Sequence, residues 1–416
     1  MKGTIWIFNR HGMPPAFEPR VRNIKFSKVF QENGYSVTMF TASTLHNMSI
    51  NLIDGRERYI EREYDEYRYI HIRTTNYKGN GLKRVWAMLQ YNMGLLRVAL
   101  KSSDKPRIII CNLGITGFFI PFVIAKRHKC PTIVEIRDLW PESIIEFGGL
   151  RRNSLLAKLL FSIERCVYQK ADAIVFAKEG EVEYIREKGW DLESGGSIDM
   201  QKVFYVNNGV DIKEFDTNKE QYWFPDEHLD DDSKFCLVYA GAVRTANAVG
   251  RLVDAAKILK ERGYENVYIL VFGDGTELSE LTERSQSLEL NNIIFKGNIE
   301  KKYVPSVLSR AHATILNYKP CGIWKRGNSS NKLFEYMAAG KPVISTVMMG
   351  YDIISKYECG FSVEKETDEG IADAIVKVYE LPQQDYERLC KNARRGAEDF
   401  DWEIQGQKML DIFNML

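Results

Sequence analysis

The stretch NSSNKLFEYMAAGKPVI, Asn328 to Ile344, reads as one helix-to-strand step of an alternating fold. Ser329 or Ser330 can cap a helix running through Ala338, Gly340 can end it in a left-handed conformation, and Pro342 opens the strand that follows. The free N-terminal amides of such a helix would point at an anion. Lys332 and Glu335 are three apart and share a face, so a cation for phosphate and a carboxylate for vicinal hydroxyls can stand side by side. An ordinary intrahelical ion pair is the other reading.

Outward from this step, short apolar runs alternate with amphipathic helical patterns. Thr4–Phe8, Ser36–Phe40, Tyr69–Ile72, Arg107–Cys111, Thr132–Ile136 and Ala173–Phe176 read as strands, separated by helical patterns such as Val21–Asn33, Leu82–Lys101 and Leu155–Lys170. After the polar stretches Glu193–Asp199 and Lys219–Ser233 the alternation has a second set: Val203–Val206, Phe235–Tyr239, Val267–Phe272, Ile293–Lys296, Ala313–Leu316 and Pro342–Ser345. The pattern predicts an α/β fold of two doubly wound, Rossmann-like domains, residues 1–200 and 201–391, with a terminal helix at 392–416 returning to the first. Ligands are then expected beyond the carboxyl ends of the strands, in a cleft between the halves.

Two loops at those strand ends invite a nucleotide. Gly273-Asp274-Gly275 follows one strand and opens a helix near Thr276, and Gly241 to Asn247 follows another in the same way. A bare turn is the alternative for the first loop taken alone.

Tyr239-Ala-Gly241, Gly273-Asp-Gly275, Phe295-Lys-Gly297-Asn298 and NKLFEYMAAGKPVI, in this order and spacing, resemble the family 4 retaining glycosyltransferases of the GT-B fold. NGYSVTMFTA (Asn33–Ala42), VEIRDLWPES (Val134–Ser143) and YVNNGVD (Tyr205–Asp211) extend the likeness over nearly the whole chain. The pattern is most similar to transferases of fucosamine or N-acetylhexosamine in bacterial O-antigen and capsule assembly.

The resemblance implies roles. Glu335 matches the glutamate that binds the donor ribose, whereas the first glutamate of the Glu-x7-Glu motif falls on Gly327 and is absent. The basic residues that neutralise the diphosphate fall near Ala242 and Ala246, so Arg244 and Lys332 are the substitutes. Gly12 would bring a backbone amide to the donor phosphate, Ile299 would lie where main-chain groups recognise the base, and Asn328, Ser329, Ser330 and Asn331 complete the donor site with Gly241, Gly273 and Asp274. In the amino half, Arg137-Asp138 stands where the family often has His-Asp. Asp138 is expected to orient or deprotonate the acceptor hydroxyl, Arg137 or Arg20 to hold the leaving diphosphate, and His11 to reach donor or acceptor. Capping of the helix after Trp140-Pro141 is the plainer reading of Asp138.

Composition bounds the rest. A chain of 416 residues, 44% hydrophobic and 27% charged, is globular throughout, and a net charge of +1 argues against nucleic acid as a partner. The balance hides an asymmetry of +8 over residues 1–200 and −7 over 201–416. Seven scattered cysteines without a Cys-x-x-Cys pair suit a reducing cytoplasm. The apolar start of the chain is too short for a signal peptide, and the charge-free stretch Ile108–Ala125 reads as a buried strand, turn and core helix. Asp230-Asp231-Asp232 reads as a solvated charge run and the six histidines show no ligand spacing, so no metal or cofactor is expected and the UDP-sugar is substrate.

Together these readings predict a retaining hexosyltransferase moving an N-acetylated or deoxy sugar from a UDP-sugar to a glycan or lipid-linked acceptor. A UDP-sugar 2-epimerase or a non-catalytic nucleotide-sugar-binding subunit are the alternatives. A cytoplasmic location is expected. The basic amphipathic stretches Lys78–Lys101 and Leu150–Lys170 face either the core or, from the inner side of the cell membrane, anionic lipid.

Overall fold

The computed structural model describes residues 2–14, 16–17, 21–46, 48–64, 66–79, 81–112, 119–146 and 148–416. The chain divides into two compact units, Met1–Asn207 with Trp402–Leu416, and Asn208–Asp401. The division thus lies a few residues beyond 200, and of the terminal stretch only Trp402–Leu416 joins the amino unit. Residues 392–399 belong to the helix Gln383–Asp399, which stays with the carboxyl unit because its buried Ala393 and Ala397 pack in the core around helix Asn331–Ala338.

The amino unit is built on eight strands: β1 Thr4–Phe8, β2 Ser36–Ala42, β3 Tyr59–Tyr64, β4 Tyr67–Ile72, β5 Pro106–Asn112, β6 Thr132–Ile136, β7 Ala173–Phe176 and β8 Val203–Tyr205. Their order is β3-β4-β2-β1-β5-β6-β7-β8, parallel except for β3, which pairs antiparallel with β4 at the edge. Alternation along β1 serves two cores. Trp6 and Phe8 pack with helices Leu82–Lys101, Ile120–His128 and Leu155–Lys170, while Ile5 and Ile7 pack with helix Arg22–Glu32 and the returning helix Trp402–Met415.

The carboxyl unit carries β9 Phe235–Ala240, β10 Val267–Phe272, β11 Ile293–Gly297, β12 Ala313–Leu316, β13 Val343–Ser345 and β14 Gly360–Ser362 in the order β11-β10-β9-β12-β13-β14, all parallel. Cys236 and Val238 face one core and Leu237 and Tyr239 the other. In each sheet the winding reverses beside the first strand of the unit, between β1 and β5 and between β9 and β12. Loops on either side of such a reversal diverge and leave a crevice at the strands' carboxyl ends. No helix among the described residues is long and apolar enough to cross a membrane.

Candidate active site

At the reversal of the carboxyl sheet, three loops are stitched into one rim by backbone bonds. Gly241 N–H donates to Phe272 O (2.8 Å), Val243 N–H to Asp274 O (2.9 Å) and Gly273 N–H to Gly297 O (2.7 Å). Gly273 adopts φ 147°, and a Cβ there would lie 1.9 Å from the Gly241 carbonyl oxygen. Its small size therefore serves loop-on-loop packing. Gly241 differs: a Cβ there would meet Cδ of Lys332 at 2.9 Å and its Nζ at 3.1 Å. The missing side chain makes room for the lysine.

Helix Asn331–Ala338 begins on the far side of the same reversal. Ser330 occupies the cap position without a side-chain bond, so the first amides of the helix are not sealed by a hydroxyl as the sequence suggests they can be. Asn328 is buried, and its Oδ1 accepts from the Ser330 N–H (2.8 Å); the Ser329 carbonyl accepts from Asn208 Nδ2 (2.5 Å). The buried Asn331 Oδ1 has no hydrogen-bond partner among the described residues. Asn317 ties this side to the Gly241 loop, donating to the carbonyls of Asn247 and Ala248, each at 2.7 Å.

Lys332 makes no ion pair among the described residues. Its Nζ lies 3.3 Å from Tyr239 Oη and sits over the rings of Tyr239 (4.9 Å) and Tyr318 (5.2 Å), the latter ring backed by Trp324 at 4.3 Å. Burial pushes the ammonium down to about 8, against a smaller opposing effect of Glu335. Glu335 is ion-paired not with Lys332 but with the exposed Lys301, from the segment after β11. The intrahelical pair is therefore not formed. Ile299, also after β11, is half-buried against the core beneath the site.

Arg244 is exposed, with no side-chain bond among the described residues, and Asp274 is exposed with Oδ1 accepting its neighbour's Gly275 N–H (2.7 Å). Both stand on the rim, and only Arg244 has the charge to meet an anion. Gly327, where the first glutamate is missing, adopts φ 96° at the end of the 3-10 turn Gly322–Arg326. A glutamate there would be strained, so the backbone itself departs from one that presents a side chain at this point.

In the amino unit, the carboxyl end of β6 holds a buried charge cluster. Glu135 accepts from Arg22 Nε (2.6 Å) and from Arg137 Nε (3.1 Å) and Nη2 (3.0 Å), and Arg22 also donates to the Asn207 and Val206 carbonyls, each at 2.7 Å. Although burial raises the Glu135 carboxyl, Arg137 and Arg22 bring it down to about 2. Arg137, with Asn23 Oδ1 at 2.5 Å as well, is thus engaged in holding Glu135 and is not a loose ligand for diphosphate.

Asp138 is exposed and caps no helix among the described residues; its partner there is Lys178 Nζ at 3.8 Å. Lys178 bonds Glu181 at 3.1 Å, and burial pushes the Glu181 carboxyl up to about 7 against that pairing. The sequence signal for both residues is a Lys-x-x-Glu just after β7, the strand paired with β6, which ends two residues before Asp138. Gly12 is buried and its N–H donates to Asn9 O (3.0 Å), so that amide is spent within its own turn instead of meeting phosphate. His11 contacts Arg10 (2.8 Å) and the ring of His46 (4.8 Å). Arg20 lies outside the described residues.

Residues 27–194 match the family model of the glycosyl transferase 4-like domain, and residues 223–396 that of glycosyl transferases group 1. The chain is 25% identical over 294 residues to TuaH of Bacillus subtilis (strain 168), assigned as a teichuronic acid biosynthesis glycosyltransferase, covering 70% of this chain and 69% of that protein. Sucrose-phosphate synthase from Thermosynechococcus elongatus superposes with a TM-score of 0.72 at 16% identity, over 99% of this chain and 98% of the other. Anabaena HepE, solved with UDP and glucose, gives 0.65 at 14% identity over the full length of both. At these identities the structures establish the fold, GT-B, as expected from the sequence.

Proposed function

Because the chain belongs to the glycosyl transferases, 4-like in its amino half and group 1 in its carboxyl half, we propose that it is a retaining family 4 enzyme. In this reading it moves a hexose, N-acetylated or deoxy, from a UDP-sugar to a glycan or lipid-linked acceptor in surface polysaccharide synthesis. The observation that carries the reading is the Lys332 ammonium, seated on two aromatic rings above Gly241 and beside the unsealed start of its helix. A cation held by rings instead of a carboxylate keeps its charge for an incoming anion, and the helix amides add to it. The UDP in the Anabaena structure and the teichuronic acid assignment of TuaH support the donor and the pathway class.

The donor diphosphate lies against Lys332, the helix amides and Arg244, and the ribose against Glu335, which exchanges Lys301 for hydroxyls. Transfer proceeds by a same-face, oxocarbenium-like displacement. The charge that grows on the departing diphosphate is met by groups already in place. On the acceptor side, Lys178 orients Asp138 toward the hydroxyl.

Glu335→Gln tests this reading. It keeps size and helix propensity but loses charge-assisted bonds of about 1.5–3 kcal/mol each, so UDP affinity by calorimetry is expected to fall at least about tenfold with the fold intact. Wild-type affinity is expected to be equal in EDTA and in magnesium buffer. Unchanged binding in the variant sinks the site. Sugar epimerisation without an acceptor would favour the epimerase.

The location we propose is the inner membrane surface. Leu82, Trp86, Leu155 and Leu159 are exposed at 87, 57, 85 and 56%, on the first turns of two basic amphipathic helices, so these faces do not close on the core. Arg152 adds little, being held bidentate by Glu142 at 2.9 and 2.6 Å. Replacing Lys83, Arg151 and Lys158 with glutamate is expected to abolish sedimentation with anionic liposomes, since each basic contact contributes about 1 kcal/mol. Equal sedimentation before and after replacement contradicts it.

A further inference from the structure

Helix Leu82–Lys101 buries Met88, Tyr91, Leu95 and Ala99 against the sheet, yet Leu82, Trp86, Leu89 and Met93 form a second apolar stripe on nearly the opposite side. The edge strand β3 contributes Tyr59 and Glu61 to the lining of a groove beside this helix. The groove has a volume of about 540 Å³; its floor is Ile70, Gly94 and Val98 and its helical wall is Trp86, Leu89 and Met93. It sits at the sheet edge, five strand positions from β6, or roughly 24 Å at about 4.8 Å per strand. It is therefore separate from the residues placed around Asp138.

The groove's charge is one-sided. Five of its fifteen lining residues are arginine or lysine and one, Glu61, is acidic. That acid is held by Arg68 at 2.8 Å, while Arg73 is engaged by the carbonyls of Gly55 and Glu57. Arg97 and Lys101, one helical turn apart and both exposed, have no ion pair or side-chain hydrogen bond among the described residues. An apolar trough with two uncommitted cations on its helical wall, and Arg58 likewise without a side-chain partner among the described residues, is complementary to a hydrocarbon chain with an anionic head.

We propose that this groove binds a single phosphate-headed hydrocarbon chain, the phosphate at Arg97 and Lys101 and the chain along Met93, Leu89 and Trp86. The inference goes beyond the donor reading and needs neither UDP nor a membrane surface. Such a lipid would be held one molecule at a time, not as part of a charged sheet.

The test is calorimetric titration of the full chain with dodecyl phosphate below its micellar concentration, beside dodecyl maltoside and inorganic phosphate. Dodecyl phosphate is expected to bind one to one, at least about tenfold tighter than either control. Arg97→Gln with Lys101→Gln is expected to weaken it at least about tenfold. Leu89→Asp, on an exposed position, should weaken it as well, and UDP affinity in all variants should stay at the wild-type value, which keeps this outcome distinct from failure of the donor site. Equal binding of the maltoside, equal binding of free phosphate, or binding to anionic vesicles with none to the monomer overturns the proposal. So does retention of binding in the Arg97/Lys101 variant with loss in Arg58→Gln.

Discussion

Lys332→Met is expected to lower kcat by about 10²–10³ and, at the same time, to stabilise the unliganded protein. On the proposed function, the first effect follows from removing a preorganised cation from a developing diphosphate, a loss comparable to that of one oxyanion-hole donor. The second follows from burial. Folding brings the ammonium from an ordinary value of 10.5 down to about 8, so the unfolded chain holds this proton more tightly than the native one. The cost is fully present below pH about 8 and disappears as pH rises toward 10.5, and removing the group at neutral pH should return about 1–3 kcal/mol. Urea unfolding and steady-state kinetics of the same variant check both halves. An intrahelical ion pair would give the opposite signature, a stability loss of about 0.2–0.5 kcal/mol with unchanged kinetics.

Arg22→Met is expected to destabilise the amino unit by about 3–5 kcal/mol, because it strands the Glu135 carboxylate, which is 2% exposed, with Arg137 as its one remaining charged partner among the described residues. Glu135→Leu in the same chain should recover much of that loss, since the stranded charge and not the missing contact is what costs most. The wild type carries a matching acid signature. The Glu135 carboxyl is held near 2 in the folded state against an ordinary 4.5, so its stabilisation is complete above pH about 4.5 and is lost as pH falls from there toward 2. Denaturation midpoints of the single and double variants, followed down to pH 3, check this.

The architecture was legible because parallel strands buried on both faces read as apolar runs, and twelve of the fourteen strands lie on such runs. The two that did not show are informative. β3, YIEREY, is a charged edge strand with little burial to imprint a pattern, and β14 is three residues, GFS. Helix Asn331–Ala338 and its glycine stop were readable from local chemistry alone.

The partners of its charges were not. Lys332 meets Tyr239, 93 residues away, Glu335 meets Lys301, 34 away, and Arg22 meets Glu135, 113 away. Spacing on one helix cannot choose between a neighbour three residues on and a side chain delivered by another strand. The glycines show the same limit, since only the folded rim reveals that Gly273 faces the Gly241 carbonyl while Gly241 faces Lys332.

On the proposed function, UDP binds the carboxyl unit on the rim formed by the Gly241 loop, the Gly273 loop and the start of helix Asn331–Ala338. Hydrogen–deuterium exchange of the full protein with and without UDP addresses it most directly. Slowed exchange is expected, confined to residues 241–247, 273–277, 299–301 and 328–338, with the amides of Asn331 and Lys332 among those protected. Protection that spares the start of this helix and the Gly241 loop, with UDP bound at saturation, would contradict it.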